Sequence, residues 1–177
     1  MAEEELLDWL EMDEARSRPY RAERLGCLLD ILKLPERGML HWGGAKSLLA
    51  LTELRLAYIH GLYFSTVLLA LSFIEHEVSG SLHAAGSNSA AKSSLEELAR
   101  EGFARGMVSE DEISAISRLR SIRNAYVHYR TISHSMHQIQ RALATDTPPE
   151  ELPEADALYA LTVVASFINR RNRSRSE

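Results

Sequence analysis

The residues Leu62–Ile74, with the sequence LYFSTVLLALSFI, decide the fold of this chain. The run has no charged side chain, and its apolar residues fall on every side of a helix rather than on one stripe. It is shorter than the roughly 20 residues that a helix needs to cross a bilayer. We therefore predict a central helix that the rest of a helical protein buries on all sides, and we expect no membrane association.

Amphipathic helical patterns continue on both sides of this run. Leucine, alanine, glutamate and arginine dominate, and the alternation typical of strands is absent. Cap and turn residues divide the chain into helices. The predicted helices are residues 3–15, a segment that starts at Ser17 with Pro19 in its first turn, residues 47–82 with a bend near Gly61, a segment capped by Ser93 and Glu96 that ends near Gly106, residues 109–143, and residues 154–170. We predict an all-α, up-and-down bundle of five to six helices.

Length and composition fit a single domain of 177 residues. We divide it into an N-terminal helical extension (1–45), a helical bundle (46–170) and a basic tail (171–177) that we expect to be disordered. The formal net charge of −5 argues against a domain that coats nucleic acid without specificity. The lone Cys27 excludes a disulfide within the chain, and the acidic N-terminus is unlike a secretory signal, so we expect a cytoplasmic protein.

The segment 123–128, with the sequence RNAYVH, combines a guanidinium with an imidazole five residues later. In an RNA-cleaving site, a histidine can deprotonate the 2′-hydroxyl or protonate the departing 5′-oxygen near neutral pH. An arginine suits the charge that develops on the non-bridging phosphate oxygens, because it is always charged and binds them at two points. Arg123 and His128 are therefore the candidate catalytic pair of a metal-independent ribonuclease.

Spacing alone does not single out this pair, because Arg55 and His60 have the same spacing and Arg130 and His137 a similar one. The alternative is that Arg123 and His128 are ordinary surface residues of a helix. No cysteine or carboxylate cluster accompanies the histidine pairs with metal-compatible spacing, so we expect neither a metal nor a cofactor. These histidine pairs are His76/His83 and His134/His137.

A helix that continues to residue 143 would place one apolar stripe against the core. The stripe consists of Ala115, Leu119, Ile122, Ala125, Tyr126, Tyr129, Ile132, Met136 and Leu143. Ile113, Ile116 and Val127 fall on the opposite face, where another protein surface would cover them. A homodimer is the simplest candidate, because a two-fold interface uses one patch twice. Such a dimer would bring two Arg/His pairs into one cleft.

The order of these segments resembles the HEPN superfamily, in particular its bacterial branches. The resemblance covers residues 55–170 and rests on two segments, GLYFSTVLLALSFIE at 61–75 and LRSIRNAYVH at 119–128. It implies an all-helical homodimer. Many members are metal-independent ribonucleases of toxin–antitoxin or antiviral defence systems, and other members are inactive binding modules. By the same resemblance, Arg123 and His128 are the catalytic pair and Asn124 is the polar residue that follows the arginine.

One position departs from the branch of HEPN toxins whose antitoxin is a nucleotidyltransferase. In that branch a tyrosine stands two residues after the histidine. Here Tyr129 follows His128 directly, and Arg130 occupies the expected tyrosine position. The departure weakens that particular pairing, so a cognate antitoxin or a regulatory protein is expected only in general terms.

Several neighbours complete the predicted site. We expect Arg120 and Arg130 to contact flanking phosphates, Asn124 to bind the same phosphate or to hold the imidazole, and Tyr129 to support the pair. Glu75 shares a helical face with apolar residues, so we expect it in or beside the core and paired with an arginine of the 109–143 helix. That pair would either be purely structural or orient the catalytic arginine.

Three functions remain open from the sequence. The first is a metal-independent endoribonuclease that acts on RNA, within a toxin or defence system. The second is a non-catalytic HEPN-like module that binds a nucleotide or a protein partner. The third is a helical bundle without a site, which the apolar residues on the outer face of the 109–143 helix leave open.

Overall fold

A computed structural model of the chain describes residues 3–34, 41–88 and 93–173, with side chains described as far as residue 170. Within these ranges it contains seven helices and no strand. They are α1 (Glu3–Leu32), α2 (Ala45–Ile59), α3 (Tyr63–Ala84), α4 (Leu95–Ala104), α5 (Glu110–Val127), α6 (Gln138–Thr145) and α7 (Leu152–Arg173). The all-α prediction is confirmed, and the described residues form more helices than the five to six expected.

The helix α3 lies at the centre, in contact with α2, α4, α5 and α7. Val67, Ala70 and Ile74 are fully buried on it. The central position of this helix is therefore confirmed, but its burial on all sides is not, because Leu62 and Phe64 are 55% and 41% exposed. None of the helices in the described ranges has the length and apolar character that crossing a membrane requires.

The helix α1 is continuous, whereas the sequence predicted two helices separated near Ser17. Pro19 lies inside it. A proline within a helix removes one backbone hydrogen bond and bends the helix, but the hydrogen bonds of the neighbouring turns can keep the helix continuous. The second half of α1 belongs to the core through Leu28 and Leu32, so the predicted extension 1–45 is only partly separate from the bundle.

Two contacts attach this half of α1 to α2. The Nε of Arg24 donates a hydrogen bond to the carbonyl oxygen of Ile59 at 2.9 Å. The hydroxyl of Tyr58 lies 3.5 Å from the Sγ of Cys27. The two helices are thus joined both at the end of α2 and within the core, where Tyr58 is buried.

The predicted 47–82 helix is divided rather than bent. Gly61 has a φ of 72°, a left-handed conformation that side chains other than glycine's disfavour. A backbone hydrogen bond closes the turn between α2 and α3: the N–H of Leu62 donates to the carbonyl oxygen of Ala57 at 2.8 Å. The glycine therefore ends one helix and allows the next to start in a new direction.

Cap residues explain most of the other helix starts. Ser109 and Glu112 form the predicted capping box of α5. The box of α4 uses Ser94 and Glu97, one residue later than predicted. In each box a serine oxygen accepts from a backbone N–H and a glutamate accepts from the serine backbone. The helix α7 continues to Arg173, and the rest of the predicted disordered tail lies outside the described residues.

The predicted 109–143 helix is wrong in its second half, since α5 ends at Val127. Three members of the predicted core stripe, Tyr129, Ile132 and Leu143, are consequently exposed. Residues 126–135 (YVHYRTISHS) contain mostly aromatic, β-branched, histidine and serine residues, all weak helix formers. Apolar spacing suggested a longer helix here, but the backbone preference of this segment does not sustain one.

The turn before α2 lies directly against the backbone of α3. A Cβ atom on Gly80 would stand 2.2 Å from the carbonyl oxygen of Trp42, and a Cβ on Gly43 would stand 2.7 Å from the carbonyl oxygen of His76. Neither distance is compatible with van der Waals contact. The two glycines therefore permit an approach between turn and helix that no larger residue would allow.

We predict that Gly80→Ala lowers the free energy of unfolding by about 1–3 kcal/mol, because the new methyl group overlaps backbone atoms that cannot rotate away. Gly26→Ala is the matched control, since Gly26 is an exposed helical glycine with nothing within 4 Å of an added Cβ. It should gain up to about 1 kcal/mol from helix propensity alone. Urea unfolding followed by circular dichroism measures both. A gain in both variants would contradict the close contact.

Candidate functional site

A groove of about 410 Å³ lies between α3, the start of α4 and α5. Its polar lining brings together groups from three separate parts of the chain. The lining residues are Leu68, Leu71, Ser72, Glu75, His76, Ser94, Leu95, Arg120 and Arg123. We call this space the α3–α5 groove. It contains three of the predicted site residues, namely Glu75, Arg120 and Arg123.

The two arginines of the groove differ in their partners. Arg120 donates to the Oε2 of Glu96 at 2.7 Å, and Glu96 also pairs with Arg100. The hydrogen bond from Arg120 and the charge of Arg100 lower the pKa of the Glu96 carboxyl below its ordinary value. Arg123 is half-buried and has no hydrogen bond or ion pair with any residue in the described ranges. It is the guanidinium of the groove that a ligand can use without breaking an existing pair.

Glu75 lies elsewhere than predicted. It is exposed on the rim of the groove and forms no ion pair within the described part of the chain, so the expected pair with an arginine of α5 is wrong. The reason is that the apolar residues on its helical face do not all enter the core, since Phe64 is 41% exposed and Leu68 lines the groove. The proximity of Glu75 to Arg120 and Arg123 along one groove nevertheless agrees with a shared site.

The buried carboxylate of α3 is Glu77 instead, and sequence reasoning did not find it. Its side chain is 3% exposed. Its Oε1 lies 3.5 Å from the backbone N of Gly43 and 3.4 Å from the Nδ1 of His41. The one available sequence signal was Gly80, because a glycine inside a helix often marks a close backbone approach. Glu77 therefore anchors the turn before α2 and lies outside the α3–α5 groove.

His128 is the C-cap residue of α5, with φ −116° and ψ 133°. Its backbone N donates to the carbonyl oxygen of Asn124 at 3.2 Å, the last helical hydrogen bond. The side chain of His128 is exposed and is not part of the groove lining. No neighbouring helix buries the imidazole, so it remains accessible to a substrate or to a second protein chain.

The remaining predicted site residues lie around the end of α5. Asn124 is half-buried and Tyr129 is 92% exposed. Arg130 is half-buried, and its Nε has no hydrogen-bond partner in the described residues. The structure therefore places three predicted residues in the groove, Asn124 in the last turn of α5, and His128, Tyr129 and Arg130 at and after the end of that helix.

The apolar residues predicted on the outer face of α5 do not form an exposed patch. Ile116 is 2% exposed and belongs to the core of its own chain. Ile113 also packs against that core, and only Val127 is exposed, at 40%. The helix α5 contacts α3, α4 and α7, so its buried arc is wider than the predicted stripe and includes Ile113 and Ile116. The apolar outer face of the predicted long helix is therefore not the surface that a second copy would cover.

A buried charge cluster holds the end of α5 against α6 and α7, and sequence reasoning missed it. The guanidinium of Arg141 donates two hydrogen bonds to Asp156, at 2.8 and 2.5 Å. The hydroxyl of Tyr126 donates to the same carboxylate at 2.7 Å. Burial and this hydrogen bond raise the pKa of the Tyr126 hydroxyl well above its ordinary value. The ring of Phe64 lies 5.6 Å from that of Tyr126, so the cluster also reaches the start of α3.

Of the two histidine pairs with metal-compatible spacing, the pair His134/His137 has a structural role. The Nδ1 of His137 accepts from the backbone N of Ile139 and caps α6. The Nδ1 of His134 accepts from the backbone N of Met136 at 3.0 Å. In the described ranges, no three histidine, cysteine, aspartate or glutamate side chains are grouped so that they could hold a metal ion.

Comparison of the chain with protein-family models, with curated proteins and with solved structures gave no match. The geometry and chemistry of the α3–α5 groove and of the end of α5 are therefore the basis for assigning a function. The HEPN resemblance of the sequence stays a hypothesis.

We predict that Asp156→Ala lowers the free energy of unfolding by about 3–5 kcal/mol, because Arg141 and Tyr126 lose their common buried partner. Glu96→Ala is the matched control. It removes an exposed carboxylate that also contacts two basic groups, and water replaces those contacts, so the urea midpoint should stay nearly unchanged. Equal midpoint shifts in the two variants would contradict a structural role for the Asp156 cluster.

Proposed function

We propose that the protein is a metal-independent endoribonuclease of the HEPN type, with Arg123 and His128 as its catalytic pair. The observation that carries the proposal is a guanidinium without a partner in the described residues, lining a groove, five residues before an exposed imidazole at the end of the same helix. In this proposal the active unit contains two copies of the chain, so that two imidazoles serve one cleft.

Arg123 is suited to hold the scissile phosphate. A half-buried positive charge without a counter-ion is unfavourable, and a bound anion would supply that counter-ion. The planar guanidinium can donate to two non-bridging oxygens at once and stabilise the charge they gain in the transition state. Because Arg120 remains paired with Glu96, we assign to Arg120 the weaker role of contacting a flanking phosphate.

His128 is suited to move the protons. The 2′-hydroxyl of the ribose attacks the adjacent phosphorus, a new oxygen–phosphorus bond forms, and the bond to the 5′-oxygen breaks. One imidazole takes the proton of the 2′-hydroxyl, and a protonated imidazole from the second copy gives a proton to the departing 5′-oxygen. The products are a 2′,3′-cyclic phosphate and a 5′-hydroxyl. No metal ion takes part in these steps.

Asn124, Arg130 and Tyr129 receive supporting roles in this proposal. Glu75 lines the same groove as Arg123 but forms no ion pair in the described residues, so we assign it no role in orienting that guanidinium. Asn124 lies one residue after Arg123 and can donate to the phosphate or to the imidazole. Arg130 and Tyr129 follow His128 on the exposed segment, where Arg130 can contact a neighbouring phosphate and Tyr129 a base.

A second function is favoured by one observation, which is that His128 does not line the groove in a single chain. The α3–α5 groove alone has groups that can bind a phosphate, namely Arg123 and the hydroxyl of Ser72, with Arg120 beside them. In this alternative the protein is a non-catalytic HEPN-like module that binds a nucleotide or a protein partner. A toxin or defence role, with an antitoxin or a regulatory protein, belongs to the first function.

We predict that Arg123→Ala and His128→Ala each lower RNA cleavage by at least about 100-fold without loss of helical content, because each removes one catalytic contribution. Cleavage is measured in chelator with mixed RNA, and the new ends are tested for 2′,3′-cyclic phosphate. Arg55→Ala and His60→Ala are matched controls. They have the same spacing, and His60 is likewise an exposed C-cap residue, at the end of α2.

The controls should cleave as the unmodified protein does. Equal losses in the Arg55 and Arg123 variants would remove the assignment. RNA with a 2′-deoxyribose at each cleavage position separates the two functions, since it binds but cannot be cut. Binding of this RNA that depends on Arg123, together with no cleavage of ordinary RNA by the unmodified protein, would favour the non-catalytic module.

A further inference from the structure

The first half of α1 is not covered by any other part of the chain that the structure describes. Every residue from 3 to 16 is exposed, although the segment is helical throughout. Its large apolar side chains are between 43% and 58% exposed, and they are Leu6, Leu7, Trp9, Leu10 and Met12. Helices of this length depend on packing more than on intrinsic propensity for their stability in water. An uncovered apolar segment of this kind indicates a surface that another chain covers.

The uncovered residues continue the face by which α1 packs into its own core. Eighteen residues make about five complete helical turns, so Trp9 and Leu10 lie on the same face as Cys27 and Leu28. Leu28 is 1% exposed, whereas Leu10 is 56% exposed. One apolar face thus extends from the bundle into solvent, and only its second half is covered.

Charge is divided along the same helix. Residues 3–14 contain seven acidic side chains and no basic one, and these are Glu3, Glu4, Glu5, Asp8, Glu11, Asp13 and Glu14. Residues 16–24 contain one acidic side chain, Glu23, and four arginines, which are Arg16, Arg18, Arg21 and Arg24. Within the helix, Arg21 pairs with Glu14. The acidic segment and the basic segment are therefore complementary to each other.

We propose that α1 pairs with α1 of a second copy of this chain in antiparallel orientation, with the acidic segment 3–14 of each copy alongside the basic segment 16–24 of the other. The two-fold axis then passes between Glu14 and Ala15, so that Asp13 lies opposite Arg16 and Glu11 lies opposite Arg18 of the partner subunit. Leu6, Trp9 and Leu10 pack on the aliphatic stems of the partner's arginines and on the partner's Tyr20. The pairing does not depend on the proposed nuclease function.

Charge favours this occupant and this register over the alternatives. A parallel pair would place seven acidic side chains against seven, and an antiparallel pair centred on Trp9 would do nearly the same. Like charges at contact distance disfavour both arrangements. A surface that carries both complementary segments on one helix is complementary to itself, which is the requirement of a two-fold interface.

The mass in solution tests the interface. We expect the unmodified protein to have twice the 19.9 kDa of one chain when measured by light scattering during gel filtration. The double variant Trp9→Gln/Leu10→Gln should raise the dimer dissociation constant at least about 100-fold, because four apolar side chains leave the interface. The control is Leu48→Gln/Leu49→Gln on α2, which changes two leucines that are 54% and 58% exposed and should leave the dimer intact.

Cross-linking tests the register. In a Cys27→Ser background, a short bismaleimide cross-linker should join two copies of the Asp13→Cys variant but not two copies of the Glu5→Cys variant. In the antiparallel pair, position 13 is about 4.5 Å and position 5 about 28 Å along the axis from its own copy, at 1.5 Å per residue, but a parallel pair would link both variants. A monomeric unmodified protein, or a dimer that keeps its dissociation constant in the Trp9/Leu10 variant, would overturn the proposal and give α1 a different occupant.

Discussion

The fold depends on the burial of α3, whose apolar run 62–74 contains no charged side chain. The apolar run on α3 leaves water because α2, α4, α5 and α7 pack around it, whereas Leu62 and Phe64 at its beginning stay exposed. This constraint determines where polar groups can stand. Glu77 enters the core and is held against the turn before α2, where Gly43 and Gly80 permit backbone contact. Ser72, Glu75 and His76 remain on the one edge of α3 that borders the α3–α5 groove.

The position of the candidate site follows from where α5 begins and ends. A capping box at Ser109 and Glu112 starts the helix, and Arg170 of α7 pairs with the same Glu112. At the other end, Tyr126 and Arg141 share the carboxylate of Asp156. These two attachments hold α5 across α3, so Arg123 lines the groove while the chain leaves the helix at His128. Arginine and histidine thus occupy different environments, one half-buried and one open, although only five residues separate them.

The helix α1 has one half that is packed into the core and one half that is exposed. Its second half is part of the core and is attached to α2 by Arg24 and Cys27. Its first half extends the same apolar face into solvent together with a dense acidic charge. An internal ion pair between Arg21 and Glu14 stands at the junction of the two halves. If this helix forms the dimer, the contact between two copies lies on α1 rather than on the outer face of α5 that the sequence suggested, because Ile116 is already buried within one chain.

The sequence by itself determined the helical class, the central position of residues 62–74 and the capping box at Ser109, because each follows from local composition and spacing. It also identified Glu75, Arg120 and Arg123, which share the groove. Only the tertiary structure decided that α5 ends at Val127, that Glu77 rather than Glu75 is buried, and that Asp156 joins Tyr126 to Arg141. Apolar spacing cannot report these outcomes. The apolar residues on one face of α3 do not all enter the core, and a buried ion pair exists only when groups 15 and 30 residues apart in the chain meet through the packing of other helices.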